Sequence, residues 1–324
     1  MAVRAGFLWV FALMFCAGSA LGSDKFSDWK ERLRTEALEG GISAQTFDSA
    51  FKDVNLIERV VELDRKQPEF TLTLNSYLDK VISNTRVRRA RQKLAEHKDI
   101  LNKVSETYGV QPRFIVALWG IETNFGQNTG GFGVIPALTT LAYDGRRASF
   151  FRKELLNALK IIDQGHISAD KMKGSWAGAM GQCQFMPSSF LSYAEDFNND
   201  GKQDIWNTKE DVFASIANYL SSTGWRDDIT WGREVLLPEG FDGQSLSADK
   251  TVKSMDEWRR MGLRRRDGSE LPARNLKSRL VLPRHNEGRA FLAYQNYDTI
   301  LRWNRSNYFA VAVGTLADKI QSGD

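Results

Sequence analysis

Trp119-Gly-Ile-Glu122-Thr-Asn-Phe-Gly126 and Gly174-Ser-Trp-Ala-Gly-Ala-Met-Gly-Gln-Cys-Gln184-Phe-Met-Pro187 are the two stretches from which the chain is best read. The first closes an apolar helix. Pro112 suits its opening turn, and Ile115, Leu118, Trp119 and Glu122 fall at i, i+3, i+4 and i+7 of one helical stripe. Glu122 therefore shares a face with apolar neighbours. Partial desolvation disfavours the charged form of such a carboxyl and raises its pKa toward the range of a general acid. Asn124 and Gly126 end the helix just beyond, which puts the carboxyl at an element terminus, where clefts form. A glutamate on a solvated last turn would have the same spacing, so the stripe alone leaves both readings open. The second stretch is a run of small residues that lets another backbone or a substrate come close.

The two segments resemble the signature of the lytic murein transglycosylase B family, whose members have a lysozyme-like domain. In that family the glutamate of a Glu-Ser-x-Phe-Gly motif is the catalytic acid. A Gly-Ser-x-Ala-Gly-Ala-x-Gly-x-x-Gln-Phe-Met-Pro-Ser run lines the saccharide groove. The second motif matches nearly letter for letter through Ser188, whereas Thr123 stands where serine is common. Trp303-Asn-Arg-Ser306-Asn-Tyr-Phe309-Ala is similar to the family's Tyr-Asn-x-Ser-x-x-Tyr-Ala segment, with Trp303 and Phe309 in place of tyrosines. The resemblance implies that Glu122 is catalytic and that Ser175, Gln184, Tyr219, Trp303, Asn304 and Phe309 contact substrate. The ring faces at 303 and 309 are kept for sugar stacking, but a phenolic hydroxyl that could orient the glutamate is missing at 309, with Tyr308 its only near substitute.

The rest of the 324 residues, 42% hydrophobic and 26% charged, has the composition of a globular protein with room for one large domain or two small ones. Residues 1–22 differ. Arg4 precedes an apolar run from Phe7 to Cys16, followed by small residues ending at Gly22, as in an export signal too short to span a membrane as a mature helix. The expectation is an exported, periplasmic protein with no transmembrane segment. Phe15 is bulky where a lipidation signal wants a small residue, so no lipid anchor is expected at Cys16. Loss of the signal leaves Cys183 as the only one of the two cysteines, which excludes an intramolecular disulfide. With histidine only at 97, 166 and 285, neither a cysteine nucleophile nor a zinc site is favoured. The formal charge of +4 becomes +3 without Arg4, a mild basic balance that suits an anionic envelope polymer without specifying it.

The fold class read from this pattern is α+β and predominantly helical, and the resemblance makes its centre a lysozyme-like catalytic domain. Residues 23–110 form a helical region, with Phe26, Trp29, Leu33 and Leu38 marking an amphipathic opening helix and one long basic pattern running from Val81 to Tyr108. Arg86, Arg88, Arg89, Arg91 and Lys93 read as a solvated helix face rather than a nucleic-acid patch, since no aromatics interleave them. Pro68-Glu-Phe70 marks a break. The catalytic core spans 111–230, with Gly130 to Gly133 as a flexible loop beside the groove and one helix from about Pro136 to Gly165 that carries Arg146 and Arg147 on its surface. Val235 to Pro238, Ser278 to Pro283 and Phe291 to Tyr294 read as short strands of a small β-containing appendage, an insertion at 231–300, before 301–324 returns to the core.

Asp196-Phe-Asn198-Asn-Asp200-Gly201-Lys202-Gln-Asp204 has oxygen ligands at positions 1, 3, 5 and 9, glycine at 6 and the Lys202 carbonyl at 7, the order of an EF-hand calcium loop. Asn207 replaces the expected glutamate at position 12, leaving Glu210 or Asp211 to close the shell; the resemblance favours Asp211, giving a loop 196–211. Sodium is an alternative occupant, and an Asx-rich turn with no ion is an alternative structure.

No cofactor is expected for the chemistry. Ordinary glycosidases use two carboxylates, and no second acid here has a claim comparable to Glu122. The resemblance implies peptidoglycan glycan strands as substrate, cleavage by one glutamate acting as acid and then base, and 1,6-anhydro products, with Gln184 and Asn304 as donors to the acetamido sugar. A hydrolytic muramidase and a non-catalytic murein-binding protein are the alternatives. Nucleic acid is not an expected partner; cell-wall synthesis or division proteins are, and the chain is expected to be a monomer.

Overall fold

The computed structural model describes residues 18–66 and 72–322, with side chains from Lys25 onward. Residues 1–17 of the export segment and the Pro68-Glu-Phe70 break lie outside the described residues; residues 18–22 begin the first helix.

The lead-in helices are α1 (Gly18–Glu39), α2 (Ala44–Ala50), α3 (Glu58–Arg65), α4 (Leu74–Val81), α5 (Asn84–Glu96) and α6 (Lys98–Tyr108). On α1 Leu33 is buried, but Leu38 is exposed and Ala37 takes its place inside. The basic pattern from Val81 to Tyr108 is not one helix. Ser83 starts α5 by accepting a hydrogen bond from the Arg86 N–H, and the chain turns at His97 (φ −109°, ψ 21°) before α6. Amphipathic phase carries across such a turn, which is why the pattern reads as continuous.

Everything packs around α7 (Pro112–Thr123). Its residues 114–120 are all buried, so it is apolar on every side, as suits the central helix of a large core. It lies against α5, α6, α11 (Lys209–Ser222) and the closing helix α15 (Asn307–Ser322). Helices α8 (Val134–Asp144) and α9 (Ala148–Asp163) stand where a single helix is expected from sequence. Gly145 (φ 91°) and Arg147 (φ 58°) take left-handed conformations and fold the chain back between them. Arg146 and Arg147 therefore sit in a turn rather than on a helix face. Both reach Asp64 of α3, whose side chain is only 1% exposed: Arg147 pairs with its carboxylate, and Arg146 Nη1 donates to its carbonyl at 2.6 Å.

The Gly130–Gly133 segment is partly strand: β1 (Phe132–Gly133) pairs antiparallel with β2 (Lys173–Gly174). Among the described residues a second sheet is five-stranded and antiparallel, built from β3 (Gly232–Leu236), β4 (Val252–Ser254), β5 (Arg264–Arg265), β6 (Lys277–Val281) and β7 (Ala290–Ala293) in the order β4-β6-β7-β3-β5. It has its own core of Val235, Met255, Trp258, Leu263, Leu280 and Leu292, separate from the main one. Helices α12 (Gly243–Ala248) and α13 (Met255–Arg260) cover it, and Trp231 Nε1, donating to Asp318 of α15 at 2.9 Å, ties it to the body. Helix α14 (Gln295–Trp303) follows β7 and packs on α15. Among the described residues no helix is long and apolar enough to cross a membrane.

Candidate active site

Glu122 occupies the last turn of α7, and the three residues after Thr123 shape the site around it. Asn124, Phe125 and Gly126 are all left-handed (φ 51°, 62° and 79°), so the helix stops abruptly and the chain doubles back. The Phe125 ring tucks under Trp119, its centroid 5.5 Å away and edge-on.

The returning loop is stitched to the second motif. Thr123 Oγ1 donates to the Gln182 carbonyl at 3.1 Å and accepts from the Gly126 N–H at 3.1 Å. A hydroxyl is what this joint needs, and threonine supplies it as serine would. Buried Gln182 completes the seam, accepting from Trp119 Nε1 at 2.9 Å and donating to the Trp206 carbonyl at 2.6 Å. Sequence reasoning passed over Gln182; its only signal was a polar side chain inside a run of small residues. The small residues themselves serve backbone packing: a Cβ on Gly130 would lie 2.1 Å from the Gly174 carbonyl oxygen, and one on Gly174 2.2 Å from that of Ala179.

Glu122 keeps part of its surface open to solvent while protein crowds its carboxyl on every other side. Burial pushes its pKa up to about 7, against the pull of a hydrogen bond from Trp303 that favours the charged form. No charged neighbour contributes. The Trp303 indole Nε1 donates to Glu122 Oε1 at 2.7 Å. The indole is clamped by Phe185 at 5.2 Å and Tyr219 at 4.8 Å between ring centroids, and Tyr193 backs Tyr219 at 4.7 Å. Trp303, expected from the resemblance to contact substrate, also meets the Glu122 carboxyl directly through its indole N–H. Burial raises the pKa of the Tyr77 phenol on α4, and the charge of Glu122 adds to that shift.

The remaining expected site residues fare differently. Ser175 Oγ accepts from the N–H groups of Ala177 (3.3 Å) and Ala179 (3.0 Å), shaping the motif's own turn. Gln184, left-handed at φ 51°, spends its side-chain N–H groups on the carbonyls of Thr129 (3.1 Å) and Gly181 (2.9 Å). Those donors are engaged with backbone rather than held ready for a sugar. Tyr219 is 9% exposed, and burial lifts its phenol to a pKa of about 12. Asn304 is exposed just past α14 and accepts from the Ser306 N–H at 3.2 Å. Phe309 is 5% exposed within the core and offers no free ring face, and the Tyr308 hydroxyl donates to the carbonyls of Leu72 and Arg284 instead of to Glu122. Cys183 is buried, its thiol pushed up by burial and by the charges of Glu122 and Asp211, and inert as a nucleophile.

In the loop 196–211 the hard oxygens are of the kind calcium takes, but they turn onto the loop's own amides. Asp196 accepts from the N–H groups of Asp200 (3.0 Å) and Gly201 (2.8 Å), Asp200 from that of Lys202 (3.0 Å), and Asp204 from those of Trp206 and Asn207 (both 2.9 Å). Asp211, fully buried, accepts from the N–H groups of Phe197 (2.9 Å) and Asp204 (2.8 Å), locking both ends of the loop to α11. Asn198 donates to Asp200. Among the described residues no three His, Cys, Asp or Glu side chains converge as a cation cluster.

The chain presents one desolvated carboxyl beside an aromatic wall on a predominantly helical, lysozyme-like fold. The sequence matches the transglycosylase SLT domain family over residues 25–318, and the chain belongs to that family. It is 34% identical over 234 residues to membrane-bound lytic murein transglycosylase B of Escherichia coli strain K12; the match covers 69% of this chain and spans 61% of that protein's length. The structure of SltB3 from Pseudomonas aeruginosa, in complex with NAG-anhNAM-pentapeptide, is similar with a TM-score of 0.88 and 45% identity, covering 92% of this chain and 80% of that one. The Escherichia coli lytic transglycosylase Slt35 in complex with calcium is similar with a TM-score of 0.74 and 28% identity, covering 90% of this chain and 92% of its own.

Proposed function

We propose that the chain is an exported, periplasmic lytic transglycosylase. It cleaves the β-1,4 bond between N-acetylmuramic acid and N-acetylglucosamine in peptidoglycan and leaves 1,6-anhydromuramoyl ends. The observation that carries this reading is the isolation of Glu122: a carboxyl with a pKa of about 7, shifted by burial and one indole hydrogen bond and by no second acid. The pair of carboxylates of a retaining glycosidase, about 5–5.5 Å apart, would stand close enough to perturb each other.

Glu122, protonated, donates to the glycosidic oxygen as the C1–O bond breaks. The developing cation at C1 is stabilised by the substrate's own 2-acetamido group. Glu122, now a carboxylate, takes the proton of the C6 hydroxyl as that oxygen closes on C1. One bond breaks, one forms, the proton returns to the enzyme and no water is consumed. A pKa near neutrality serves both halves, since the group must give a proton and recover one. Trp303 holds the carboxylate in place and stabilises it after the proton has left. The family likeness supports Ser175, Gln184, Tyr219 and Asn304 as parts of the groove, with Gln184 and Ser175 acting through the backbone they shape. The substrate carries peptide stems, as do the ligands of SltB3. The loop 196–211 is proposed as a latch on α11, its acidic residues engaged with backbone, and any cation there would be structural.

Glu122→Gln tests the assignment: it should fold as the wild type does and lose at least about a thousandfold in turnover of purified murein. Retained turnover would move the acid elsewhere.

A further inference from the structure

Glu122 is not the only acid on an apolar helical stripe. On α9, Phe151, Glu154, Leu155 and Ala158 fall at i, i+3, i+4 and i+7, and all four are buried. Glu154 is 3% exposed. A carboxyl at that depth costs stability unless its oxygens are hydrogen-bonded, so its partners define its role.

Both oxygens go to one residue. Glu154 Oε2 accepts from the Ser188 N–H at 2.8 Å, and Oε1 accepts from the Ser188 hydroxyl at 2.7 Å. Ser188 is where the second motif runs into α10 (Pro187–Tyr193). Met186, at the N-cap of α10, makes no side-chain cap bond, and Pro187 has no N–H, so the Ser188 N–H is the first donor of that helix in need of a partner. Glu154 supplies the acceptor from α9, the helix on which α10 packs.

Three residues upstream of Ser188 lies Phe185. It exchanges two backbone hydrogen bonds with Met180, at 2.8 and 3.1 Å, and these close the turn 180–185. The turn meets the surroundings of Glu122 twice. The Gln182 carbonyl accepts from Thr123 Oγ1 at 3.1 Å, and the Phe185 ring lies 5.2 Å from the Trp303 indole that bonds Glu122. Ser188 is the downstream anchor of this turn, and Glu154 is its fastening.

We propose that Glu154 is a positioning residue for the reaction: by fixing Ser188 it holds the turn 180–185, and with it the Phe185–Trp303 contact that keeps the indole N–H on Glu122. The inference rests on Glu122 being the acid, as proposed above. Buried, with both oxygens on Ser188, Glu154 is not a second acid for the glycosidic bond.

The test is the pH profile of kcat/KM on purified murein for Glu154→Met, Glu154→Gln and Ser188→Ala. Methionine fills similar space and offers Ser188 no comparable acceptor. Glu154→Met should lose about tenfold, carried by kcat. Its alkaline limb should move up in pH, because a loosened indole withdraws the hydrogen bond that favours the Glu122 carboxylate. Glu154→Gln keeps a carbonyl oxygen for the Ser188 N–H and should recover most of the rate together with the wild-type limb. Ser188→Ala removes the hydroxyl alone; it should move the limb the same way by less, and adding it to Glu154→Met should cost nothing further. If Glu154→Met does not fold, the Ser188→Ala profile decides. A limb that stays in place or moves down, whatever the loss of rate or stability, would overturn the positioning role and leave the assignment of Glu122 standing. Wild-type turnover by Glu122→Gln would overturn both.

Discussion

The indole Nε1 of Trp303 donates to Oε1 of Glu122 at 2.7 Å, joining residues 181 positions apart in the chain. Two opposing effects meet in that bond: burial disfavours the carboxylate, and the indole favours it.

Trp303→Phe removes the donor and leaves an aromatic ring. The carboxylate loses a partner, so the pKa of Glu122 should rise further above 7 and the alkaline limb of kcat/KM against pH should move up. Turnover at the optimum should fall about tenfold. An alkaline limb that stays in place or moves down would break the link between the two residues.

Glu122 also destabilises the fold at neutral pH. Its folded pKa of about 7 exceeds the ordinary 4.5, so the folded state holds its proton where the unfolded chain has released it. Stability from this group is fully present below pH 4.5 and is lost as pH rises through 7. Glu122→Gln, free of this titration, should match wild type in thermal unfolding at acid pH and exceed it by about 3 kcal/mol above neutrality. Unfolding curves that stay parallel across the range would refute the raised pKa.

Gly130 and Gly131 make a matched pair. Gly130 has φ 93° and no room for a Cβ against the Gly174 carbonyl, whereas Gly131 has nothing within 4 Å. Gly130→Ala should cost about 2–4 kcal/mol in denaturant unfolding, and Gly131→Ala within about 0.5 kcal/mol of nothing. Equal costs would mean that the close approach of the loop to the second motif does not matter to stability.

Much of α7 was legible in the sequence because its signals are local. Pro112 begins it, an apolar stripe defines its face, and Asn124 ends it in a left-handed turn. The breaks at His97 and Gly145 were not legible, since the amphipathic phase runs on through both and one turn residue does not reveal whether a helix bends back. Side-chain roles depending on distant partners were also hidden. Trp303 reads as a stacking platform, and its contact with Glu122, 181 positions away, is invisible until the fold brings the two side chains together. The amide of Gln184 reads as available until its left-handed backbone turns it onto Thr129 and Gly181. Phe309 reads as a groove residue by its motif, and its burial at 5% exposure depends on how α15 packs, which the motif does not carry. The EF-hand spacing fixes which oxygens are present; it does not fix whether they face an ion or their own amides.

Under the proposed reaction a single acid recovers its proton from the C6 hydroxyl and no water is consumed, which mass spectrometry of the products of purified murein digested in oxygen-18 water tests directly. Wild type should release anhydro-muropeptides without heavy oxygen, and Glu122→Gln should release none. Reducing-end products carrying the heavy oxygen would show that water attacks C1, and anhydro products from Glu122→Gln would show that another group is the acid.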